Sequence, residues 1–166
     1  MELSVVVGNP KPRSRTLLVA EAVAQRIMEE PSAPTRVVDL CAYADGMFRW
    51  PQDEIAALAE TIAASDVVVF ASPTYKASYT GLLKAFLDRY PNNGLAGVVA
   101  VPVMTGGSAH HSMAVDTALR PVLVELGASV PSGGLYFEIT EMDKIDLIVD
   151  EWAERNQAII RKAVRE

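Results

Sequence analysis

Residues 72–81 read Ser72-Pro73-Thr74-Tyr75-Lys76-Ala77-Ser78-Tyr79-Thr80-Gly81, and they separate two apolar segments of different periodicity. The preceding residues, 66–71, form an apolar run rich in β-branched side chains, which is typical of a strand buried on both faces of a parallel sheet. The following residues, 81–88, carry apolar side chains at helical spacing. Residues 72–81 are therefore predicted to lie at the carboxyl edge of a sheet, where open α/β folds bind ligands.

Strand-like and helix-like segments alternate along the rest of the chain. This alternation predicts a single α/β domain over residues 1–166, with a five-stranded parallel sheet and helices on both faces. The predicted strands cover residues 3–7, 35–39, 66–71, 97–104 and 133–137. The predicted helices cover residues 15–30, 52–64, 80–90, 111–127 and 143–165.

Composition excludes several classes of function. With a net charge of -6, 50% hydrophobic and 22% charged residues, the chain lacks the basic character of a nucleic-acid-binding protein. Cys41 is the only cysteine, so an internal disulfide is impossible and a reducing compartment is favoured. Met1 leads almost directly into a strand-like run, without an export or membrane-spanning segment. We therefore expect a cytoplasmic protein that does not associate with membranes.

The first loop, residues 8–16, has a composition suited to an anion. Side-chain donors and cations alternate along it: Asn9, Lys11, Arg13, Ser14, Arg15 and Thr16. Unpaired amides at the start of the next helix would complete a phosphate cradle, and Gly8 is expected to allow a tight turn. Because the loop contains neither GxxxxGK(S/T) nor GxGxxG, a mononucleotide phosphate is the best candidate ligand. Alternatively, Ser14 only caps the helix and the basic side chains stay solvated.

The second loop, which begins at Pro73, is suited to a flat heterocycle. Pro73 presets the turn, so the amides that follow are held in a fixed direction for edge-on recognition. Tyr75 can lie against a ring face, and Lys76, Ser78 and Thr80 can donate to phosphate or ring oxygens. On the alternative interpretation, Tyr75 is a packing residue, Lys76 a surface charge and Thr80 a helix N-cap.

The third loop, residues 104–111, contains the pair Gly106-Gly107 between Thr105 and Ser108. Two adjacent glycines let the main chain approach a ligand closely and point amides at it. Such amides could stabilise negative charge on a reduced ring.

No residue pattern indicates acid, base or metal chemistry by the protein itself. His110 and His111 are adjacent and point in different directions, so we interpret them as polar residues at a helix entry, not as metal ligands. Neither a Ser/His/Asp arrangement nor a carboxylate pair stands out. The chemistry would therefore belong to a bound cofactor.

Residues 41–51 form a predicted loop that is unusually rich in apolar side chains, namely Tyr43, Met47, Phe48 and Trp50. This cluster could cover a planar ligand or contact a partner subunit. The alternative is simple packing over the edge of the sheet. Cys41 has the pattern of an ordinary buried thiol.

The three loops together resemble those of the NAD(P)H-dependent FMN reductase family of flavodoxin-like proteins. The matching motifs are residues 8–16, residues 72–78 with Leu87-Asp88, and residues 105–107 with 114–116 and 119–123. The last two are most similar to the reductases that supply reduced FMN to two-component sulfonate monooxygenases. The chain departs from these at Thr117, where such relatives often carry an aromatic residue.

This resemblance implies a sheet of order 2-1-3-4-5, FMN at the carboxyl ends of the strands, and a homodimer or homotetramer. It also implies three groups of FMN-binding residues. The phosphate would be held by Asn9, Arg13, Ser14, Arg15 and Thr16, the flavin would be lined by Pro73, Thr74, Tyr75, Lys76 and Ser78, and its pyrimidine side would meet Thr105, Gly106, Gly107 and Ser108.

The reaction that the resemblance implies is hydride transfer from the nicotinamide C4 of NADPH or NADH to the flavin N5. No protein acid is required, so the enzyme would contribute ring alignment and amide donors. The reduced FMN would supply a partner monooxygenase. The alternatives are a quinone, azo-dye or metal-ion reductase that retains its FMN, a flavodoxin-like electron carrier, and a scaffolding protein with a vestigial flavin site. The modest net charge argues against a carrier with an acidic docking face.

Two expectations concern the helices. The third predicted helix carries Leu82, Leu83, Phe86, Leu87 and Tyr90, more apolar surface than one sheet contact needs, which predicts a contact with another subunit. In the fourth, Pro121 cannot donate to the carbonyl of Thr117, so a kink or wide turn is predicted over residues 116–121. Because threonine at position 117 places no mobile ring over the isoalloxazine, the protein is also expected to retain FMN more readily than relatives with an aromatic residue there. The alternative for Thr117 is that its hydroxyl simply satisfies a backbone carbonyl.

Overall fold

A five-stranded sheet forms the centre of the protein in the computed structural model, which describes residues 1–28 and 35–165. Its strands are β1 (Leu3–Val7), β2 (Thr35–Asp39), β3 (Val67–Pro73), β4 (Val99–Gly106) and β5 (Leu135–Glu138). All neighbouring pairs are parallel, and the order is β2-β1-β3-β4-β5. The predicted fold class and strand order are therefore confirmed.

The two strands that carry the second and third loops extend beyond their apolar runs. The sequence predicted that β3 ends at residue 71 and β4 at residue 104, but the strands continue to Pro73 and Gly106. In the added part, Ser72 pairs with Met104 and Pro73 pairs with Thr105. The amide of Thr74 then donates to the carbonyl of Thr105 at 2.7 Å. Polar residues continue the ladder because a buried backbone still needs its hydrogen bonds. These strands therefore reach into the region that the sequence indicated as loop.

Among the described residues, five α-helices surround the sheet: α1 (Arg15–Ile27), α2 (Asp53–Ala63), α3 (Gly81–Leu87), α4 (Arg120–Glu125) and α5 (Ile145–Arg165). Short 3₁₀ helices cover Leu40–Gly46, Ala109–His111 and Ile139–Lys144. The first predicted helix extended to residue 30, and residues 29–30 lie outside the described residues. Within the described part of the chain, no helix has the length and apolarity needed to cross a membrane.

Helices cover both faces of the sheet, as predicted. One apolar core lies between the sheet and α1 and α5, with Val5, Val69 and Trp152 among its members. The other lies between the sheet and α2, α3 and α4, and it includes Phe70 and Ile62. The central strands have uninterrupted apolar runs because both of their faces are buried.

Helix α3 uses its apolar side chains inside its own chain. Leu83, Phe86, Leu87 and Tyr90 are all buried in the core beneath α3, and Leu82 is half-buried. Tyr90 packs edge-on against Phe86, with ring centroids 5.6 Å apart. The apolar surplus that the sequence indicated is therefore absent at these four buried side chains, and a subunit contact of this helix stays a prediction.

The predicted wide turn near Pro121 is present as a π-helix over Val115–Leu119, directly before α4. The amide of Arg120 donates to the carbonyl of Val115, five residues earlier. The Thr117 hydroxyl is exposed and donates to the carbonyl of Met113 at 2.9 Å, so the simpler interpretation of Thr117 is confirmed. The loss of the proline donor is accommodated by this change of helix type.

The Arg120 side chain joins this π-helix to the loop before β5. The Arg120 guanidinium donates to the Asp116 carboxylate at 2.6 Å and to the carbonyls of Val130 and Ser132 at 2.8 and 2.6 Å. Replacing Arg120 with alanine is therefore expected to lower the free energy of unfolding by about 1–3 kcal/mol, because partly buried acceptors lose their donors.

Urea unfolding measures this loss. Arg155→Ala is the matched control, because Arg155 is exposed and makes a single hydrogen bond to the carbonyl of Glu151. Equal stabilities of the Arg120→Ala and Arg155→Ala variants would contradict the structural role given to Arg120.

Candidate functional site

A cleft of about 430 Å³ opens at the carboxyl ends of β1, β3 and β4, within the size range of small-molecule sites. The predicted site residues in its wall are Asn9, Arg13, Ser14, Arg15, Thr16, Pro73, Thr74, Tyr75, Thr105, Gly106 and Gly107. Lys11, Pro12 and Ile139 complete the wall. The structure thus brings parts of all three predicted loops to one site.

Ser14 begins helix α1 and also faces the cleft. Its hydroxyl oxygen accepts a hydrogen bond from the amide of Leu17 at 3.2 Å, so the capping interpretation is confirmed. The hydroxyl still carries a hydrogen that it can donate. The amides of Arg15 and Thr16, in the first helical turn, have no intrahelical carbonyl to bind. Capping and anion binding are therefore compatible at this residue.

The side chains of Asn9 and Thr16 form hydrogen bonds that hold the first and third loops together. Both are buried, and the Asn9 amide donates to the Thr16 hydroxyl at 3.1 Å. The Thr16 hydroxyl is 2.7 Å from that of Thr105, which is also buried. The carbonyl oxygen of the Asn9 side chain accepts from the amide of Lys11 at 2.9 Å. This chain of hydrogen bonds joins the first loop to the third and shapes the cleft wall.

The wall has positive charge that its surroundings do not neutralise. Lys11, Arg13 and Arg15 line the cleft and are exposed, and no carboxylate residue lines it. None of the salt bridges formed by residues 1–28 and 35–165 includes these three cations. In a chain of net charge -6, this local concentration of cations favours an anionic ligand.

Gly8 is required by packing, and its expected role in a tight turn was wrong. A Cβ atom at position 8 would lie 2.4 Å from the Cβ of Leu83 and 3.1 Å from its Cα. Gly8 does not have a positive φ. Its amide donates to the carbonyl of Ala71 at 2.8 Å, so the main chain continues the sheet at this point. Helix α3 can approach the end of β1 only because residue 8 has no side chain.

Left-handed backbone occurs in both loops that flank the cleft. Arg13, Lys76 and Ala77 have φ angles of 50°, 52° and 63°, a conformation that costs a non-glycine residue roughly 1–2 kcal/mol. Strain of this kind clusters at functional sites. Paired hydrogen bonds between Tyr75 and Ser78, at 2.8 and 3.2 Å, close a tight turn around Lys76 and Ala77. Lys76 and Ser78 were predicted to line the flavin. Because of this turn, neither residue lines the cleft.

The second loop presents one unsatisfied hydroxyl. The Thr74 Oγ1 atom is buried without a hydrogen-bond partner among the described residues, and Thr74 lines the cleft. Buried polar atoms are nearly always paired, so this hydroxyl is available to a ligand bound in the cleft. Tyr75, 47% exposed, stands beside it. Thr80 is buried, caps α3 and donates to the carbonyl of Gly8, so its predicted role as a ligand donor was wrong.

In the third loop, the two glycines differ. A Cβ atom on Gly106 would lie 1.9 Å from the hydroxyl of Tyr136, whereas one on Gly107 would meet no atom within 4 Å. Tyr136 donates to the carbonyl of Ser108 at 2.7 Å. The Ser108 hydroxyl is 2.9 Å from Nδ1 of His110. Ser108 was predicted to contact the flavin, but it does not line the cleft.

Sequence reasoning missed two contributors. Ile139 lines the cleft immediately after β5, a position that the strand order alone could have indicated. Asp39, the last residue of β2, accepts a hydrogen bond from the amide of Arg13 at 3.2 Å. Both residues follow or end strands at the same edge of the sheet, where functional residues of open α/β folds gather.

The apolar segment at residues 41–51 divides into two parts. Met47 is buried and Tyr43 packs against the core, as the packing interpretation predicts. Phe48 and Trp50 are 77% and 67% exposed, and the Arg89 guanidinium lies 3.6 Å from the centre of the Trp50 ring. Neither aromatic side chain lines the cleft.

Cys41 is half-buried, so it is less covered than the buried thiol that the sequence indicated. Burial and the neighbouring Asp39 carboxylate raise its pKa, because both disfavour the thiolate. Its alkylation by iodoacetamide is therefore expected to reach half its maximal rate at a pH above the value of about 8.5 typical of a free cysteine. The pH profile of alkylation, measured beside N-acetylcysteine, checks this prediction. A midpoint at or below that of N-acetylcysteine would contradict it.

Comparisons with known proteins agree with this architecture. A model of the NADPH-dependent FMN reductase family matches residues 1–140. The chain is 31% identical over 137 residues to an FMN reductase (NADPH) from Pseudomonas putida KT2440, covering 81% of this chain and 70% of the relative. It is 28% identical over 162 residues to the NADH-dependent FMN reductase SfnF of Pseudomonas putida, covering 94% and 87%.

A solved structure is also similar. The apo form of an NADH:FMN oxidoreductase (EMOB) matches with a TM-score of 0.77 and 28% identity, over 93% of this chain and 89% of that chain. Since the family model covers most of the sequence and the fold agrees, the chain belongs to the NADPH-dependent FMN reductase family.

Proposed function

We propose that the cleft binds FMN and that the protein uses NADPH or NADH to reduce it. The observation that carries this proposal is that the two loops lining one cleft offer different chemical groups. Cations without carboxylate partners and the start of α1 lie at the first loop, and the unpaired hydroxyl of Thr74 lies at the second. An anionic phosphate suits the first, and a flat ring with hydrogen-bonding edges suits the second.

The residues present fit FMN. Ser14, Arg15 and the first amides of α1 would hold the phosphate, and Arg13 would add positive charge. Thr74 would donate to or accept from the ring system, and the exposed face of Tyr75 would lie beside it. Asn9, Thr16 and Thr105 would act indirectly, through the hydrogen bonds that join the loops. A direct contact of Lys76, Ser78 or Ser108 with FMN stays a prediction.

The protein contributes to the reaction by position and by electrostatics. When bound, FMN supplies a ring that accepts a hydride at N5 from the nicotinamide C4. The open main chain at Gly107 would offer its amide where negative charge develops, and the cationic loop would attract both nucleotides. The buried network around Thr16 would keep the first and third loops in fixed relation, so that little reorganisation accompanies hydride transfer.

The physiological role that we propose is supply of reduced FMN to a partner monooxygenase in the cytoplasm, by a homodimer or homotetramer. This part rests on the resemblance of residues 72–88 and 105–123 to reductases of two-component systems. The exposed side chains of Phe48 and Trp50 support self-association, because large exposed aromatic groups favour burial in an interface.

Anaerobic oxidation of NADPH and NADH in the presence of excess free FMN tests the proposed activity. We expect many turnovers per protein molecule, followed as loss of nicotinamide absorbance. Oxidation limited to one equivalent of bound FMN until quinone or an azo dye is added would instead support a reductase that retains its flavin. Absence of oxidation with either nucleotide would contradict the reductase and favour an electron carrier or a scaffold.

A further inference from the structure

Asp39 fixes the backbone of the first loop at its strained residue. It ends β2 in register with Val7, so its side chain stands directly beside the chain that leaves β1. Its Oδ2 atom accepts a hydrogen bond from the amide of Arg13 at 3.2 Å. Arg13 is the only residue of the first loop with a positive φ, and this turn precedes the N-cap of α1. This hydrogen bond therefore stabilises the positive φ of Arg13, a conformation that is unfavourable for a residue other than glycine.

The charge of Asp39 cannot explain its presence at an anion site. A carboxylate near a phosphate repels it, which opposes binding. The other oxygen, Oδ1, is buried and accepts no hydrogen bond from a nitrogen or oxygen donor of the described residues, and the Cys41 thiol lies beside the carboxylate. No guanidinium or ammonium forms a salt bridge with Asp39 in the described part of the chain. The useful property of Asp39 is thus its capacity to accept a hydrogen bond from a backbone amide.

We propose that Asp39 is a positioning residue for the FMN phosphate. By holding the Arg13 amide, it sets the turn after Pro12, so that Arg13, Ser14 and Arg15 line the same cleft. This inference rests on the proposed function, in which the first loop holds the phosphate. Because the role needs an acceptor and no charge, asparagine should serve in place of aspartate, and alanine should not.

Equilibrium titration of FMN and riboflavin tests this role. Asp39→Ala is expected to weaken FMN binding about tenfold, the effect of one well-placed hydrogen bond, and to leave riboflavin binding unchanged. Asp39→Asn is expected to retain the affinity of the unaltered protein for FMN. Asp45→Ala is the matched control, since Asp45 is an exposed carboxylate that follows the same strand, and its removal should alter neither affinity.

A second background isolates the contact with Arg13. Glycine adopts positive φ without strain, so in the Arg13→Gly background the Asp39→Ala change should have little further effect on FMN affinity. An unchanged affinity for FMN in Asp39→Ala, equal losses for FMN and riboflavin, or Asp39→Asn falling as far as Asp39→Ala would overturn the positioning role. So would a full tenfold loss in the Arg13→Gly background. If the unaltered protein binds riboflavin as tightly as FMN, the phosphate site itself is refuted, and the positioning role is refuted with it.

Discussion

Replacing Ser14 and Arg15 together with alanine is expected to weaken FMN binding by about 2–4 kcal/mol. The double change removes one neutral donor and one charged donor from the wall of the cleft. Riboflavin, which has no phosphate, should bind as tightly as before. Titration of both flavins against the same protein preparation measures the two effects.

The control for this variant must account for the second role of Ser14. Because its hydroxyl also caps α1, alanine at this position should lower the free energy of unfolding by about 1 kcal/mol. A Ser129→Ala, Arg155→Ala protein removes an exposed serine and an exposed arginine from outside the cleft wall and should bind both flavins normally. Equal losses of FMN and riboflavin affinity in the Ser14→Ala, Arg15→Ala protein would refute the phosphate assignment.

Gly8→Ala is expected to lower the free energy of unfolding by about 3 kcal/mol. The added Cβ atom would lie 2.4 Å from the Cβ of Leu83, and neither atom can rotate away, because both are attached directly to buried backbone. Relief requires movement of α3 away from β1. The Thr80 hydroxyl donates to the Gly8 carbonyl, so this movement should also disturb the start of the second loop.

Gly81→Ala is the matched control for the Gly8 variant. Gly81 is the first residue of the same helix, and a Cβ atom there would have no neighbour within 4 Å. Its replacement should leave stability unchanged or raise it slightly, because alanine favours helix more than glycine does. If the Gly8→Ala and Gly81→Ala proteins unfold at the same urea concentration, the close approach of α3 to the end of β1 is refuted.

The sequence predicted well what depends on local pattern. Unbroken apolar runs marked the sheet, and the bounds of β1 and β2 were predicted correctly. Pro121 marked the π-helix, because a missing backbone donor has a local consequence. The strand-end loops were recognisable from composition, since glycines, cations and hydroxyl side chains have few other uses next to buried strands.

What the sequence could not predict depends on contacts between distant segments. The bond from Thr80 to Gly8 spans 72 positions, and that from the Arg13 amide to Asp39 spans 26. Such pairs depend on how distant strands and helices dock against each other, which the local periodicity of a single sequence does not specify. For the same reason, the hydrogen bond from the Asn9 side-chain amide to Thr16 was not predicted, and a direct contact of Asn9 with the phosphate stays a prediction.

A structure of the protein with bound FMN would show the assigned binding site directly. We predict that the phosphate lies within hydrogen-bond distance of Ser14 Oγ and the first amides of α1, and that the isoalloxazine lies between the Thr74-Tyr75 segment and Gly107. The Thr74 hydroxyl, unpaired without a ligand, should then have a partner on the ring. FMN bound outside this cleft, for example against Trp50, or with its phosphate turned away from the first loop, would contradict the assignment of this cleft as the FMN site.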